Sequence, residues 1–285
     1  MGLTIKELIP IGEKILRDAG VENSNIDAEA LLGFEIGFDK KKMFMNWTYE
    51  VGDAHSESWF DLINRRAAGE PLQYITGEQY FMGHRFTVDP FVLIPRPETE
   101  ILADKAIEHL RASSAKTVLD LCTGSGALAV SIAKACPRIK VTASDVSAEA
   151  LIVAKRNAGA LGVPSRIDFV QSDLFAGFRR GFFGKKFDLI VTNPPYIRTG
   201  DFAGLAREIR DHEPIKALDG GADGLDFYRC IAADARDFMR SGACLMTEIG
   251  ADQAESAGIL FSCAGFNSIE IIQDLSGLDR ILKIS

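Results

Sequence analysis

The chemistry of this chain is signalled most sharply by one tetrapeptide, Asn193-Pro194-Pro195-Tyr196. Two consecutive prolines fix the backbone and remove two N–H donors, so the Asn193 side chain and the Pro194 carbonyl have few alternative directions. Both oxygens can accept hydrogen bonds from a planar NH₂ group, and the Tyr196 ring can cover its face. Holding such a nitrogen about 3 Å from an electrophilic methyl group contributes several kcal/mol of orientation. We therefore predict that Asn193, Pro194 and Tyr196 are catalytic and that all four residues bind the substrate.

A glycine-containing loop, Cys122-Thr123-Gly124-Ser125-Gly126, follows a predicted strand that carries Asp120. Its two glycines allow a sharp turn and a close approach to a ligand, and the helix that follows offers unpaired N–H groups. The spacing D-x-x-x-G-x-G differs from the G-x-G-x-x-G arrangement that favours a pyrophosphate. A short loop behind an acid suits a cofactor with a cationic aminoacyl tail; Asp120 could bind its ammonium group or order the loop around it. The loop is therefore predicted to bind the cofactor.

Two further acids stand at the ends of the next two predicted strands. Asp145 follows Gly126 by 19 residues, and an acid at such a position can accept hydrogen bonds from both hydroxyls of a ribose. Asp173 could bind an adenine amino group, and the apolar residues beside it, Leu174 and Phe175, could cover the adenine ring. Together with Asn193, these residues predict S-adenosylmethionine as the cofactor rather than NAD.

The elements that must position these residues alternate between strand and helix from about residue 98 onward. Short apolar runs predict strands, listed by residue range as 117–121, 140–145, 166–170, 187–192, 243–249, 268–272 and 280–284. Helical periodicity falls between them, over 127–135, 148–161, 225–239 and 252–264. Such alternation predicts βαβ units, and hence an α/β fold with a doubly wound, mostly parallel, Rossmann-like sheet.

The N-terminal part of the chain has a different pattern. Thr4 is a candidate cap for a first helix, Asn25 for a second, and a third is predicted over about 53–68. The stretch 72–95 is rich in strand-forming residues broken by glycine, which favours a β-hairpin. We expect a small helical domain over 1–70, a β-hairpin linker over 71–97 and the α/β domain over 98–285.

Composition restricts the class of protein. The chain has 285 residues, 47% of them apolar, and a formal net charge of -8. This is a globular composition with room for two domains, and its acidic balance argues against a dedicated duplex-DNA binder. The sequence lacks an apolar run of membrane-spanning length, and its first residues lack a signal-peptide pattern. We therefore expect a soluble cytoplasmic protein.

Cysteine and histidine usage argues against metal and disulfide chemistry. The five cysteines form no C-x-x-C pair, and the four histidines are far apart in the sequence. This spacing speaks against a disulfide framework and against a zinc site, so no metal is expected. The motifs of serine hydrolases and P-loop proteins are also absent from the sequence.

Together these motifs resemble class I S-adenosylmethionine-dependent methyltransferases that act on planar NH₂ groups. Within that class, the chain resembles the peptide chain release factor N5-glutamine methyltransferase family, the HemK family. The resemblance covers nearly the whole chain. Beyond the motifs above, it rests on five segments: Gly69–Gly77, Ile94–Glu100, Glu213–Pro214, Asp219–Leu225 and Glu248–Gly250.

The resemblance implies a specific reaction and specific residues. It implies that the methyl acceptor is the glutamine in the Gly-Gly-Gln loop of release factors, and that the helical domain docks this protein substrate. Two positions differ from the family pattern. Cys122 stands where many members have glycine, and Leu174 stands where some have an aromatic residue. The family's cofactor role maps onto Thr123 to Gly126, Asp145, Asp173, Leu174 and Asn193, and its substrate role maps onto Asn193 to Tyr196.

Alternative functions remain open from the sequence alone. The Asn-Pro-Pro-Tyr chemistry is shared with adenine methyltransferases, so an amino-methyltransferase acting on adenine or guanine in nucleic acid is the main alternative. The acidic charge balance counts against it, because such an enzyme should carry a basic face. A non-catalytic module that retains the fold is a second alternative, and the intact Asn193 argues against it.

Three segments have two interpretations each. Thr99 is either a helix cap or part of a lid segment, 96–100, that contacts the cofactor. Glu213-Pro214 forms either a wall near the substrate amide or a turn. The lysine run 40–42 is either a solvated face or a contact with a release factor or RNA.

Overall fold

A computed structural model describes residues 2–181 and 186–285. The described part of the chain divides into two compact units, Met1–Glu78 with Ala206–His212, and Gln79–Leu205 with Glu213–Ser285. The helices are α1 (Ile5–Asp18), α2 (Ser24–Ile36), α3 (Lys40–Met45), α4 (Asp53–Ala67), α5 (Leu72–Thr76), α6 (Pro97–Ala112), α7 (Ala127–Ala135), α8 (Ala148–Ala160), α9 (Ala176–Gly181), α10 (Arg207–His212), α11 (Asp226–Phe238) and α12 (Ala254–Cys263). The strands are β1 (Glu78–Phe81), β2 (His84–Thr87), β3 (Thr117–Leu121), β4 (Lys140–Asp145), β5 (Ile167–Gln171), β6 (Phe187–Thr192), β7 (Met239–Glu248), β8 (Ile269–Gln273) and β9 (Asp279–Ile284).

The first unit is a small helical bundle, which confirms the predicted N-terminal helical domain. Trp59 of α4 is fully buried, and its ring lies so close to Gly12 of α1 that a Cβ at Gly12 would come within 2.6 Å of it. The backbone N–H and the hydroxyl of Thr4 both donate to Glu7, at 2.9 and 2.7 Å. Thr4 therefore precedes α1 as its cap, as the sequence predicts.

Two sequence predictions about this unit are wrong. The residue that precedes α2 is Asn23, and Asn25 lies within the helix. The hairpin does not begin at Leu72, because residues 72–76 form α5, which starts directly after Pro71. Proline fixes the backbone at a helix start, and the apolar faces of Tyr74 and Ile75 are buried in that short helix. Tertiary burial thus overrides the β-propensity of these two residues.

The second unit contains a seven-stranded sheet with the order β5-β4-β3-β6-β7-β9-β8. The first five strands in this order are parallel, whereas β9 pairs antiparallel with both β7 and β8. This confirms the predicted doubly wound, mostly parallel sheet. The strand order reverses direction at the β3–β6 pair, and in such sheets ligands bind at this switch point, beyond the carboxyl ends of the strands.

Both faces of the sheet are covered by apolar side chains, so its strands are buried on two sides. Parallel strands of this kind read as continuous apolar runs, as β6 does in Phe187–Thr192. The hairpin β1–β2 is fixed to α8 by Asn157, whose side chain accepts from the Thr87 N–H at 2.7 Å and donates to the Thr87 carbonyl at 2.9 Å. Within residues 2–181 and 186–285, no helix is both long enough and apolar enough to cross a membrane.

Candidate active site

A cavity of about 620 Å³ lies at the switch point, beyond the carboxyl ends of β3 to β6. It brings together residues that are far apart in the sequence. The predicted site residues in its lining are Cys122, Thr123, Gly124, Ser125, Asp145, Asp173, Leu174, Asn193 and Pro195. The remaining predicted residues, Gly126, Pro194 and Tyr196, are outside this lining.

The loop Cys122–Gly126, here called the glycine loop, is anchored from below by Asp120. One carboxylate oxygen, Oδ2, accepts from the Thr123 hydroxyl at 2.6 Å and from the Ala129 N–H at 3.1 Å. The other, Oδ1, is buried and has no hydrogen-bond partner among the residues that the structure describes. Burial raises the pKa of Asp120 to about 7, against the opposing effect of its two hydrogen bonds. Asp120 therefore retains acceptor capacity that the protein does not use.

Asp145 ties the glycine loop to the end of β4. Its Oδ2 accepts from the Gly124 N–H and its Oδ1 from the Ser147 N–H, both at 2.9 Å. Burial raises the pKa of Asp145, and these backbone hydrogen bonds act in the opposite direction. A third backbone N–H, that of Val146, also acts on this carboxylate. Because a carboxylate can accept about four hydrogen bonds, acceptor capacity remains for a ligand in the cavity.

Left-handed backbone conformations shape two sides of the cavity. Cys122, Gly124 and Gly126 have φ values of 58°, 54° and 79°, and Leu174 has 41°. This conformation is unstrained for glycine and costs energy for other residues, which explains why glycine suits the position of Cys122. Gly126 also needs to be small, because a Cβ there would lie 3.0 Å from the Cβ of Ala154.

The Asn-Pro-Pro-Tyr segment, Asn193–Tyr196, follows β6 directly and borders the opposite end of the cavity through Asn193 and Pro195. The Asn193 Nδ2 group donates to the hydroxyl of Thr99 at 3.1 Å. Thr99 in turn donates to Oε2 of Glu248 at 2.7 Å, and the Tyr196 hydroxyl donates to Oε1 of the same carboxylate at 3.3 Å. Glu248 therefore links the first and last residues of the segment.

Burial strongly affects the titrating groups of this network. Glu248 is 1% exposed, and burial raises its pKa to about 7, although its bonds to Thr99 and Tyr196 lower it. Burial also raises the pKa of Tyr196, and the Glu248 charge adds to that effect. Tyr196 is thus a neutral hydrogen-bond donor at physiological pH.

The backbone of the Asn-Pro-Pro-Tyr segment is also held directly. The Gln253 side chain, buried before α12, donates to the Tyr196 carbonyl at 2.9 Å and accepts from the Gly250 N–H at 2.9 Å. Pro194 and Pro195 are buried, whereas Asn193 and Tyr196 are half-buried. The segment is consequently fixed by contacts at its side chains and at its main chain.

Thr99 and Glu248 are the residues whose role in the site was missed from the sequence. The interpretation of Thr99 as a helix cap is wrong, since Arg96 precedes α6 as its cap and Thr99 binds Glu248. One signal was available: Glu248 is a charged residue at the end of an apolar strand, where a buried acid needs partners.

The segment Glu213-Pro214 leads into a turn, as one of its interpretations predicts, and it also borders the cavity. Pro214 lines the cavity and begins a short 3₁₀ turn at its N-cap. Glu213 is buried and forms an ion pair with Arg96, which also lines the cavity. This wall therefore joins two segments that are distant in the sequence.

Comparisons with known proteins agree with this architecture. Residues 99–210 match the methyltransferase small domain, and residues 7–77 match the PrmC N-terminal domain. The catalytic domain of human Mettl16, solved in complex with a MAT2A 3'UTR hairpin, shares the fold at 15% identity, with a TM-score of 0.57 over 79% of this chain and 82% of that one. A ribosomal protein L11 methylase from Lactobacillus delbrueckii shares it at 24% identity, with a TM-score of 0.50 over 70% and 83%. The chain is therefore an enzyme of the methyltransferase class.

Similarity over the full length is more specific. Proteins named release factor glutamine methyltransferase are 40% identical to this chain in Geobacter sulfurreducens, covering 98% of this chain and 95% of the relative, and 39% identical in Moorella thermoacetica, covering 98% and 97%. A protein of the same name from Bordetella pertussis is 40% identical, covering 94% and 96%. The chain belongs to the release factor glutamine methyltransferase family, which confirms the resemblance seen in its motifs.

Proposed function

We propose that this protein transfers a methyl group from S-adenosylmethionine to the side-chain nitrogen of the glutamine in the Gly-Gly-Gln loop of a peptide chain release factor. One observation carries the proposal: Asn193 lines the same cavity as the glycine loop and the strand-end acids Asp145 and Asp173. A group that accepts from a planar NH₂ nitrogen therefore shares one cavity with residues suited to a nucleoside cofactor. The family relationship adds the identity of the acceptor.

The residues of the cavity fit this cofactor. Asp145 lines the cavity and keeps acceptor capacity beyond its backbone hydrogen bonds, which suits a ribose hydroxyl. Asp120 is fully buried and lies outside the cavity lining, so its proposed contribution is to order the glycine loop through its bond to Thr123. Asp173 and Leu174 line the cavity on the β5 side, where an acid and an apolar side chain suit an adenine.

The cofactor-binding residues proposed here are those of the sequence prediction, with a distinction between two kinds of contribution. Cys122, Thr123, Gly124 and Ser125 line the cavity and would contact the cofactor. Gly126 contributes by allowing α7 to approach α8 closely. When bound, S-adenosylmethionine would supply an electrophilic methyl carbon. The glutamine nitrogen would bond to this carbon, the electron pair of the broken carbon–sulfur bond would stay on sulfur, and one N–H proton would be lost to solvent.

The Asn-Pro-Pro-Tyr segment would hold the substrate carboxamide. Asn193 Oδ1 and the Pro194 carbonyl would accept from the two N–H bonds of the glutamine, Pro195 would form the cavity wall, and the Tyr196 ring would cover the amide plane. An amide is a poor nucleophile, so its nitrogen must be held in line with the methyl carbon, and fixed acceptors achieve this. The protein side chains thereby orient the nitrogen without a strong base.

We assign the docking of the release factor to the helical domain, residues 1–70, with the hairpin linker over 71–97 and the methyltransferase domain over 98–285. The helical domain carries exposed apolar side chains, among them Phe44 and Met45, directly after the lysine run of α3. Lys42 of that run lies over the Phe38 ring, at 3.7 Å. A release factor as substrate would also place the enzyme in the cytoplasm, where translation terminates.

Methyl transfer with labelled cofactor tests this function. Purified protein is incubated with S-adenosylmethionine that carries a labelled methyl group and with a release factor. We expect label in the release factor and none in the same protein with Gln→Ala in its Gly-Gly-Gln loop. Total RNA and genomic DNA are offered in parallel reactions. Label that survives protease but not nuclease would overturn the proposal in favour of a nucleic-acid methyltransferase.

A further inference from the structure

The side-chain amide of Asn193 stands at the end of a hydrogen-bonded chain that begins at a buried carboxylate. Glu248, 1% exposed, accepts from Thr99, 5% exposed, and Thr99 accepts from Asn193 Nδ2. The three residues come from the end of β7, from the first turn of α6 and from the end of β6. These hydrogen bonds therefore connect three structural elements that are distant in the sequence.

The direction of each hydrogen bond in this chain follows from the chemistry of its first member. Above a pH of about 7 the Glu248 carboxylate is mainly ionised and can only accept, so the single hydroxyl proton of Thr99 is then committed to Glu248. Thr99 is left with acceptor capacity only, and it can bind Asn193 solely through the Nδ2 end of the amide. A second hydroxyl, from Tyr196, also donates to Glu248, as expected for an acceptor-only carboxylate.

We infer that Glu248, acting through Thr99, determines which end of the Asn193 carboxamide faces the cavity. A carboxamide can turn by about 180° and exchange its oxygen with its nitrogen, since the two ends are nearly equal in size. With Nδ2 bound to Thr99, the oxygen Oδ1 is the end presented to the substrate. Glu248 and Thr99 are thus positioning residues for the proposed reaction, and this inference rests on the proposed function.

The choice of end matters because the proposed substrate group is itself a donor. A glutamine NH₂ placed against Asn193 Oδ1 forms a hydrogen bond, whereas against Nδ2 it would meet a second donor. Such a pair loses the hydrogen bond and leaves two desolvated donors without an acceptor. The network therefore selects for substrates that present an NH₂ group and against those that present an oxygen.

Substitutions of Thr99 test the inference, because one pair of variants separates shape from hydrogen bonding. Thr99→Val keeps the shape and removes the hydroxyl, while Thr99→Ser keeps the hydroxyl. We expect Thr99→Val to lower kcat by about 10- to 100-fold, with the dissociation constant for S-adenosylmethionine changed less than about twofold. Thr99→Ser should restore kcat to within about threefold of the wild type. The control is Thr142→Val, a buried threonine of β4 outside the cavity lining.

Glu248→Gln should lower kcat less than Thr99→Val does. The glutamine amide can present its oxygen to Thr99 in one orientation and its nitrogen in the other, so the direction of the chain is weakened and not abolished. Equal losses in Thr99→Ser and Thr99→Val, or an unchanged kcat in Thr99→Val, would overturn the inference.

A second readout does not depend on the substrate. In ¹⁵N-labelled protein, the side-chain NH₂ signals of Asn193, assigned by their loss in Asn193→Ala, should move in Thr99→Val and remain in place in Thr99→Ser and Thr142→Val. If these signals behave so while no release factor is methylated, the orientation stands and the proposed function fails. If they do not respond to Thr99→Val, the positioning role is wrong whatever the substrate.

Discussion

The glycine loop and the Asn-Pro-Pro-Tyr segment border one cavity, but different kinds of contact hold them. The loop is held mainly through its backbone: the Gly124 N–H donates to Asp145, the Thr123 N–H donates to the Ser144 carbonyl, and the Ser125 carbonyl accepts from Asn157. The segment is held at its main chain by Gln253, but both of its polar side chains are fixed as well, Asn193 by Thr99 and Tyr196 by Glu248. The loop contacts are close in sequence, whereas the Thr99–Glu248 bond joins residues 149 apart.

This difference suggests a division of labour between the two ends of the cavity. Backbone contacts fix the shape of a loop, and this shape allows a ligand to bind. They do not orient individual reacting atoms of the ligand. Side-chain contacts direct individual acceptor atoms, which is what the orientation of a nucleophile requires. We therefore expect changes in the loop to affect cofactor affinity and changes in the segment to affect turnover.

The largest effect is expected from Asn193→Ala, which removes an acceptor at the reacting end. Turnover should fall by about 10²- to 10³-fold, because the substrate nitrogen is no longer held in line. Calorimetry should show most of the affinity for S-adenosylmethionine retained. The exposed Asn267→Ala is the matched control. Equal losses of turnover and cofactor affinity would place Asn193 in a cofactor-only role.

A second prediction concerns the buried acid at the reacting end. Burial raises the pKa of Glu248 from 4.5 to about 7, so the folded protein keeps a proton there that the unfolded chain loses. This contribution makes the free energy of unfolding fall as pH rises from about 4.5 to about 7. The Glu248→Gln variant lacks this titrating group. Its free energy of unfolding, measured relative to that of the wild type, should therefore rise by about 3 kcal/mol between about pH 4.5 and about pH 7.

Urea unfolding at several pH values measures this difference. The exposed Glu255→Gln controls for the loss of one negative charge. A stability difference between Glu248→Gln and the wild type that is independent of pH would contradict the raised pKa. Burial also raises the pKa of Asp120, at the cofactor end, to about 7. Because both variants keep Asp120, both should still lose some stability as pH rises.

The third prediction is the counterpart at the cofactor end. Asp145→Asn leaves one strong acceptor where the Gly124 and Ser147 N–H groups and a ribose would need several. We expect the affinity for S-adenosylmethionine to fall by about 10- to 100-fold, with kcat at saturating cofactor within a few-fold of the wild type. Asp104→Asn, on the exposed side of α6, is the control. A loss confined to kcat would reverse the proposed division of labour.

The smallest effect is expected at Cys122, whose φ of 58° is strained for a residue with a side chain. Cys122→Gly relieves that strain, of about 1–2 kcal/mol, but adds freedom to the unfolded chain. The free energy of unfolding should therefore change by less than about 1 kcal/mol. Cys122→Val should destabilise the protein and weaken cofactor binding, because a β-branched residue fits this conformation poorly. Cys230→Gly, inside α11, should cost about 1 kcal/mol. A large loss of stability in Cys122→Gly would show that the thiol itself is needed.

The sequence predicts the elements of the sheet better than the contacts between distant residues. The ends of α7, β4 and β6 agree with the predicted 127–135, 140–145 and 187–192, because local periodicity and buried apolar runs determine them. The failures have local causes as well. Residues 72–76 have side chains typical of strands but form the helix α5. Asn23 and Asn25 are both suitable caps by residue type, and only the backbone conformation shows that α2 begins after Asn23.

The network behind Asn193 was beyond sequence reasoning for a physical reason. Thr99 is the third residue of α6, where capping is the simplest interpretation of a threonine. Its partner Glu248 lies at the end of β7, far along the chain. Only the tertiary fold brings α6 against β7. The motif residues could be identified from their types, whereas the residues that orient them could not.

The most direct test of the account is the structure of a complex with S-adenosylhomocysteine and a peptide containing Gly-Gly-Gln. We predict that S-adenosylhomocysteine lies against Asp145 and the glycine loop, and that the glutamine nitrogen lies within about 3.2 Å of Asn193 Oδ1. A complex in which the glutamine binds elsewhere, or in which Asn193 turns its nitrogen toward the substrate, would contradict it.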